Sequence, residues 1–97
     1  MLPILLLIAC GPGESLSPEA ARGKQVYQTH CTSCHHADPA KTGPVGPAIK
    51  GSSRELLEAR VIRGEYPPGY TPKRTTTLMP ALPQLKDDVH ALAAYLQ

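Results

Sequence analysis

The sequence is organised around one stretch, Cys31-Thr32-Ser33-Cys34-His35. Two cysteines three positions apart lie on one face of a helical turn. Their sulfurs can therefore bond to the two vinyl groups of a single haem, and the next residue can direct its imidazole at the iron. This C-x-x-C-H spacing is far more specific than C-x-x-C alone. The stretch predicts one covalent haem c, attached through Cys31 and Cys34, with His35 as an axial iron ligand.

Other roles of a C-x-x-C pair have less support. A thioredoxin-like redox pair belongs in a βαβ setting, and the sequence has no such pattern. A zinc site would need a further ligand, for which His30 or His36 would have to serve, and no second ligand cluster follows. A disulfide between the two cysteines is sterically possible but leaves the adjacent His35 unexplained.

The composition agrees with a core that is filled by a cofactor. The chain has 97 residues, with no Trp, no Phe, four Tyr, eleven Pro and eight Gly. One domain of this size usually needs a disulfide, a metal or a cofactor to be stable. The net charge of +2 comes without the dense basic face of nucleic-acid-binding proteins. We therefore expect no nucleic-acid partner.

The N-terminus has a different character from the rest. Residues 1–9 are almost wholly apolar, but they are too few to span a bilayer, which takes about 20 apolar residues. They fit the apolar part of an export signal, and Leu7-Ile8-Ala9-Cys10 resembles the bacterial lipobox. We predict a signal sequence over 1–9, a lipidated Cys10 and a flexible tether over 10–17, and this use of Cys10 explains the odd cysteine count. An apolar N-terminus with an incidental cysteine is the alternative.

The remainder, residues 18–97, is predicted to be one all-α domain without strands. Ser17 is a good N-cap for the first helix, with proline next to it. Ser52 and Glu55 are predicted to form the capping box of the second helix, which Gly64 ends. Apolar residues recur at helical spacing in the third. The three predicted helices cover residues 18–30, 53–63 and 87–96, and the Pro/Gly-rich loops between them cover 37–51 and 65–85.

Met79 is the candidate for the second axial position of the iron. A haem that carries electrons usually has a sixth ligand, and methionine raises its reduction potential. Met79 is the only methionine left once residues 1–9 are removed, and Pro80 stiffens the chain beside it. In isolation, a lone methionine near prolines would be a flexible gap-filler. Given a haem at His35, ligation by Met79 is the better interpretation.

Taken together, these features resemble a bacterial class I, mono-haem cytochrome c, over residues 18–97. The helix before the haem motif carries Gly23 and Tyr27 where that family has a glycine and an aromatic residue. In the family these pack on the last helix, which implies that Tyr95 or Leu92 crosses near Gly23. The fold implied is three main helices and long loops wrapped around one covalent haem.

The resemblance also implies a pocket for the haem. Gly46-Pro47-Ala48-Ile49-Lys50-Gly51 is similar to the family's G-P-x-L-x-G segment. The carbonyl of Pro47 would then accept a hydrogen bond from Nδ1 of His35, which orients the ligand and makes it more basic, and Ile49 would pack on the haem. The candidates for holding the haem propionates are Tyr66, Tyr70 and Arg74.

The function implied is that of a single-electron carrier rather than an enzyme, since two protein ligands leave the iron no open position. Its donor and acceptor would be redox proteins, toward which Lys73 and Arg74 could steer it if the partner is acidic. Cys10 would hold it at the periplasmic side of a bacterial membrane, as a monomer or a subunit. The alternatives are a haem subunit of a larger periplasmic oxidoreductase, and a gas or redox sensor with a labile sixth ligand.

Overall fold

The computed structural model describes residues 15–74 and 78–97. The predicted signal sequence and the predicted lipidation site, Cys10, lie outside these residues. The described part is helical and contains no strand, which confirms the all-α prediction. Within it, no helix combines the length and the apolar character that crossing a membrane requires. The elements are α1 (Pro18–His30), α2 (Arg54–Leu57) with a π segment (Glu58–Arg63), a 3₁₀ segment (Pro83–Asp88) and α3 (Val89–Leu96).

Helix α1 has the predicted bounds, because both of its ends are decided by local chemistry. The Oγ of Ser17 accepts a hydrogen bond from the amide of Ala20 at 3.0 Å, and Pro18 occupies the first turn. At the other end the amide of Cys31 donates to the carbonyl of Tyr27 at 2.9 Å. The helix therefore leads directly into the Cys31–His35 stretch.

The second helix differs from the prediction at its start and in its interior. Its N-cap is Ser53, whose Oγ accepts from the amide of Leu56 at 3.1 Å. The predicted capping box of Ser52 and Glu55 is wrong, because the Oγ of Ser52 donates instead to the carbonyl of Ile49 at 2.6 Å. The helix is α-helical only as far as Leu57 and continues as the π segment. Gly64, with φ of +67°, ends it as predicted.

The third helix begins later than the sequence pattern predicts. Residues Pro83–Asp88 form a 3₁₀ segment, and α3 proper starts at Val89. The tighter segment buries Leu85, of which 4% is exposed. Asp88, the last residue of the 3₁₀ segment, pairs with Arg22 of α1, with Nε and Oδ1 3.2 Å apart. This contact between distant parts of the chain has no signature in the local sequence.

The core forms where α1 and α3 cross. Gly23 allows the close approach, because a Cβ there would collide with the backbone of Ala91 and lie 2.9 Å from Cβ of Tyr95. The rings of Tyr27 and Tyr95 are 5.7 Å apart. Of the two residues that the resemblance implied, Tyr95 and not Leu92 is thus the one in closest contact with Gly23. The buried cluster around this crossing consists of Val26, Tyr27, Leu57, Val61, Leu85, Val89, Leu92 and Leu96.

Candidate functional site

An open cavity lies beside this core. The space inside it, together with its open mouth, is about 990 Å³. Its lining includes two thiols and an imidazole, many apolar side chains, and three cationic side chains. The residues predicted to bind the haem and its iron all lie in this lining, namely Cys31, Cys34, His35, Pro47, Ile49 and Met79.

The thiols are positioned by a turn that continues α1. The carbonyl of Cys31 accepts from the amides of Cys34 and His35, at 3.3 and 2.9 Å. The carbonyl of Cys34 in turn accepts from the amides of Val45 and Gly46, at 3.1 and 2.8 Å. The turn is thereby fixed to the loop that follows it, and the two sulfurs and the imidazole reach one cavity from five consecutive residues.

Both thiols are partly buried and neither is in a disulfide. Burial, followed by the nearby Cys34, raises the pKa of Cys31 to about 11. Before any thioether forms, Cys31 is therefore a neutral thiol at physiological pH. The zinc alternative gains no support, since in the described part of the chain no three His, Cys, Asp or Glu side chains converge to hold a metal ion.

The imidazole of His35 is buried and oriented. Its Nδ1 lies 2.9 Å from the carbonyl oxygen of Pro47, as the resemblance implied. A carbonyl only accepts, so Nδ1 donates a proton to it, and Nε2 is the ring nitrogen that the neutral imidazole would offer to a metal. Gly46 packs against the ring, since a Cβ there would lie 2.5 Å from Cε1 and 2.6 Å from Nδ1. The structure thus fixes the orientation of the predicted iron ligand.

Met79 reaches the same cavity from the other long loop. Its side chain is half-buried and packs against the core cluster, whereas its neighbour Leu78 is 70% exposed. The cavity lining therefore contains one imidazole and one thioether. These are the two donor types of the predicted His/Met ligand pair.

The charged side chains of the lining are all cationic: Arg60, Lys73 and Arg74, with no Asp or Glu among the described lining residues. The guanidinium of Arg60 lies 4.3 Å from the ring centroid of Tyr66, which stacks on Tyr70 at 5.5 Å and 11°. A cation at this distance from a ring face is attracted to it. The charge of the lining is therefore suited to a group with negative charge.

Lys73 and Arg60 have positions that sequence reasoning missed. Nζ of Lys73 donates to the carbonyl of Ala48 at 2.8 Å, whereas the sequence suggested only a role in steering a partner. Arg60 was not among the propionate candidates. One feature of the sequence could have indicated Arg60 as a propionate candidate. It is an arginine within the mostly apolar stripe of the second helix, where a buried face normally carries apolar side chains.

The other three histidines, His30, His36 and His90, lie outside the cavity lining. His36 accepts a hydrogen bond at Nδ1 from the amide of Asp38 at 2.8 Å, and its carbonyl accepts from the hydroxyl of Tyr27. His90 is exposed, with Nε2 3.8 Å from Glu19. His30 is exposed at the end of α1.

The residues present fit a c-type haem. The two thiols can hold it, and the oriented imidazole offers one nitrogen lone pair. The apolar wall, with Ile49, Leu57, Val61 and Leu92 among its members, can cover a flat macrocycle. The three cationic side chains of the lining could balance the charge of two propionates.

Comparison with known proteins adds a family. The family model described as cytochrome c matches residues 20–97, which is most of the chain. The curated proteins include no significant match.

Proposed function

Because the chain belongs to the cytochrome c family, we propose that it is a single-electron carrier with one haem, whose iron is held by His35 and Met79. The family binds haem c covalently and transfers electrons, and Cys31 and Cys34 supply the attachment motif. When bound, the haem supplies a one-electron Fe(III)/Fe(II) couple. The observation that carries the proposal is the convergence of two thiols, an oriented imidazole and a thioether on one cavity.

Each part of the cavity has a stated task in this proposal. Pro47 holds the proton of His35 at Nδ1, so that Nε2 stays free and basic. The apolar wall excludes water, which lowers the solvent rearrangement that a change of charge would require. Arg60, Lys73 and Arg74 balance the carboxylates of the cofactor. If His35 and Met79 both hold the iron, no position would remain open for a substrate, and we therefore infer a carrier and not an enzyme.

The test of the ligand assignment is Met79→Ala, with Leu78→Ala as the matched control. We expect the oxidised holoprotein to show the absorption band of an iron–methionine sulfur bond. Met79→Ala should abolish this band, and Leu78→Ala, at a neighbour that also lines the cavity but is largely exposed, should keep it. A band that survives Met79→Ala refutes the assignment. Rapid and complete carbon monoxide binding by the reduced wild type would instead favour the sensor with a labile sixth ligand.

Haem attachment and the N-terminus can be tested on one sample. A pyridine haemochrome spectrum should report one haem with two thioether bonds, and Cys31→Ala should remove one of these bonds. The intact mass should show loss of residues 1–9 and addition of lipid at Cys10. A mass that retains residues 1–9 would contradict the lipoprotein proposal without affecting the haem site.

Location and partners follow from the same proposal. Cytochrome c family proteins are typically exported, and we propose that this one acts at the periplasmic side of a bacterial membrane, anchored by Cys10. Its donor and acceptor would be redox proteins, and it would act as a monomer or as a subunit of a larger oxidoreductase complex. Co-purification of a stable partner from solubilised membranes would favour the subunit.

A further inference from the structure

The carboxyl end of the π segment contacts the chain immediately after Met79. The amide of Leu82 donates to the carbonyl of Val61 at 2.6 Å. Within the described residues this is the first backbone–backbone hydrogen bond after Met79. Val61 is buried and Leu82 is half-buried against the core. Because little water reaches the bond, leaving its two groups unpaired would be costly.

The helix end leaves the Val61 carbonyl available for this bond. The last carbonyls of a helix have no partner within it. Here the amides of Gly64 and Glu65 both donate to the carbonyl of Ala59. The carbonyl of Val61 is therefore not used by the helix's own cap, and it accepts from Leu82 instead.

Gly64 brings the same helix end against the loop at a second point. Its φ of +67° favours glycine, and a Cβ there would lie 3.3 Å from Cβ of Ala81. That separation is tighter than ordinary van der Waals contact between carbons. Any larger residue at position 64 must therefore displace Ala81, which stands two positions after Met79.

We infer that this helix end anchors the Met79 loop, with the Val61 carbonyl and Gly64 as its positioning groups. This inference rests on the proposed ligation of iron by Met79. A ligand on a long loop competes poorly unless the chain near it is held, because ordering the loop costs conformational entropy. The anchor holds the chain two to three residues from Met79, so it limits how far the thioether can withdraw.

The experiment measures how readily imidazole displaces Met79 in the oxidised holoprotein. Because the added Cβ must push Ala81 away by a few tenths of an ångström, we expect Gly64→Ala to raise the apparent imidazole affinity about fivefold. Gly69→Ala is the matched control, because Gly69 has a positive φ and nothing within 4 Å of the added Cβ. It carries the same backbone strain without the contact to Ala81. We expect its imidazole affinity to stay within about twofold of wild type, below the effect of overpacking.

Two further variants complete the test. The double variant Gly64→Ala/Ala81→Gly removes the close contact. Its imidazole affinity should return to that of Gly69→Ala. If Gly64→Ala does not retain haem, Ala81→Val crowds the same contact from the loop side and should raise the affinity in the same direction.

The outcomes separate the anchor from the ligand assignment. Equal imidazole affinities for Gly64→Ala and Gly69→Ala, with an intact methionine–sulfur band in wild type, would overturn the anchor and leave Met79 ligation standing. A band that survives Met79→Ala would overturn the ligation, and the anchor would fall with it. A raised affinity that only the double variant reverses supports the anchor.

Discussion

Gly46 should not tolerate a side chain, because its position is occupied by the ring of His35. A Cβ at residue 46 would lie 2.5 Å from Cε1, 2.6 Å from Nδ1 and 3.0 Å from Nε2 of that ring. Since carbon contacts are optimal at about 3.5–4.0 Å, the ring or the loop must retreat by about 1 Å. Gly46 has no positive φ, so its requirement for glycine is one of space.

The same displacement should break the bond that orients His35. Its Nδ1 lies 2.9 Å from the carbonyl of Pro47, and a retreat of about 1 Å takes this pair beyond hydrogen-bond distance. Overpacking costs about 1–3 kcal/mol, and the lost bond adds about 1 kcal/mol. We therefore expect Gly46→Ala to lower the free energy of unfolding of the holoprotein by roughly 2–4 kcal/mol.

The midpoint reduction potential of the holoprotein provides a second measurement of this displacement. Loss of the Pro47 bond makes His35 a weaker donor, which destabilises Fe(III) relative to Fe(II) and raises the midpoint potential. For one electron, a tenfold change in relative affinity corresponds to about 59 mV. Thr42→Ala, at an exposed position in the same loop, is the control for both measurements. Unchanged stability and potential in Gly46→Ala would refute the reasoning.

Three further predictions concern the scaffold. Gly23→Ala should lower the unfolding free energy by about 3 kcal/mol or more, because its Cβ meets the backbone of Ala91. A loss no larger than that of an ordinary surface substitution would contradict the close approach of α1 and α3 at Gly23. Burial, followed by neighbouring charges, raises the pKa of Tyr27 from 10.0 to about 12. The folded state therefore keeps the proton longer than the unfolded state. The stability advantage of wild type over Tyr27→Phe, which loses the hydroxyl bond to His36, should be constant below pH 10. Between pH 10 and 12 it should fall by roughly 1 kcal/mol per pH unit, and a difference that stays flat there refutes the shift. Ser53→Ala should cost about 1 kcal/mol in chemical denaturation through loss of the N-cap, and no loss would refute this N-cap assignment.

Local chemistry accounts for the parts that the sequence predicted well. The bounds of α1 follow from Ser17 and Pro18, which act on the first helical turn and on nothing distant. Gly64 ends the second helix because few other residues adopt its positive φ. The haem motif is equally local, since Cys31, Cys34 and His35 occupy one turn. Signals of this kind are complete within a few residues.

The second helix shows where local reasoning failed. Ser52 and Ser53 are adjacent and chemically identical, and Ser52 has the better capping-box partner three residues on. The structure uses Ser53, because the hydroxyl of Ser52 is taken by the carbonyl of Ile49, which lies in the loop that the resemblance placed at the haem. Which serine caps the helix therefore depends on the position of that loop, and the local sequence pattern does not indicate that position.

The sequence by itself predicted the cofactor, its attachment residues, the all-α class and His35 as an iron ligand, and the family match and the helical fold confirm the cofactor and the class. Only the tertiary structure decided how the two long loops are held. Lys73 is drawn to Ala48, and the amide of Leu82 is bound by Val61. The reason is that backbone carbonyls accept these bonds. Every residue has such a carbonyl, so no residue type in the sequence indicates where they form. The stretch Cys31–His35 predicts the haem, whereas contacts between distant segments shape the cavity that would bind it.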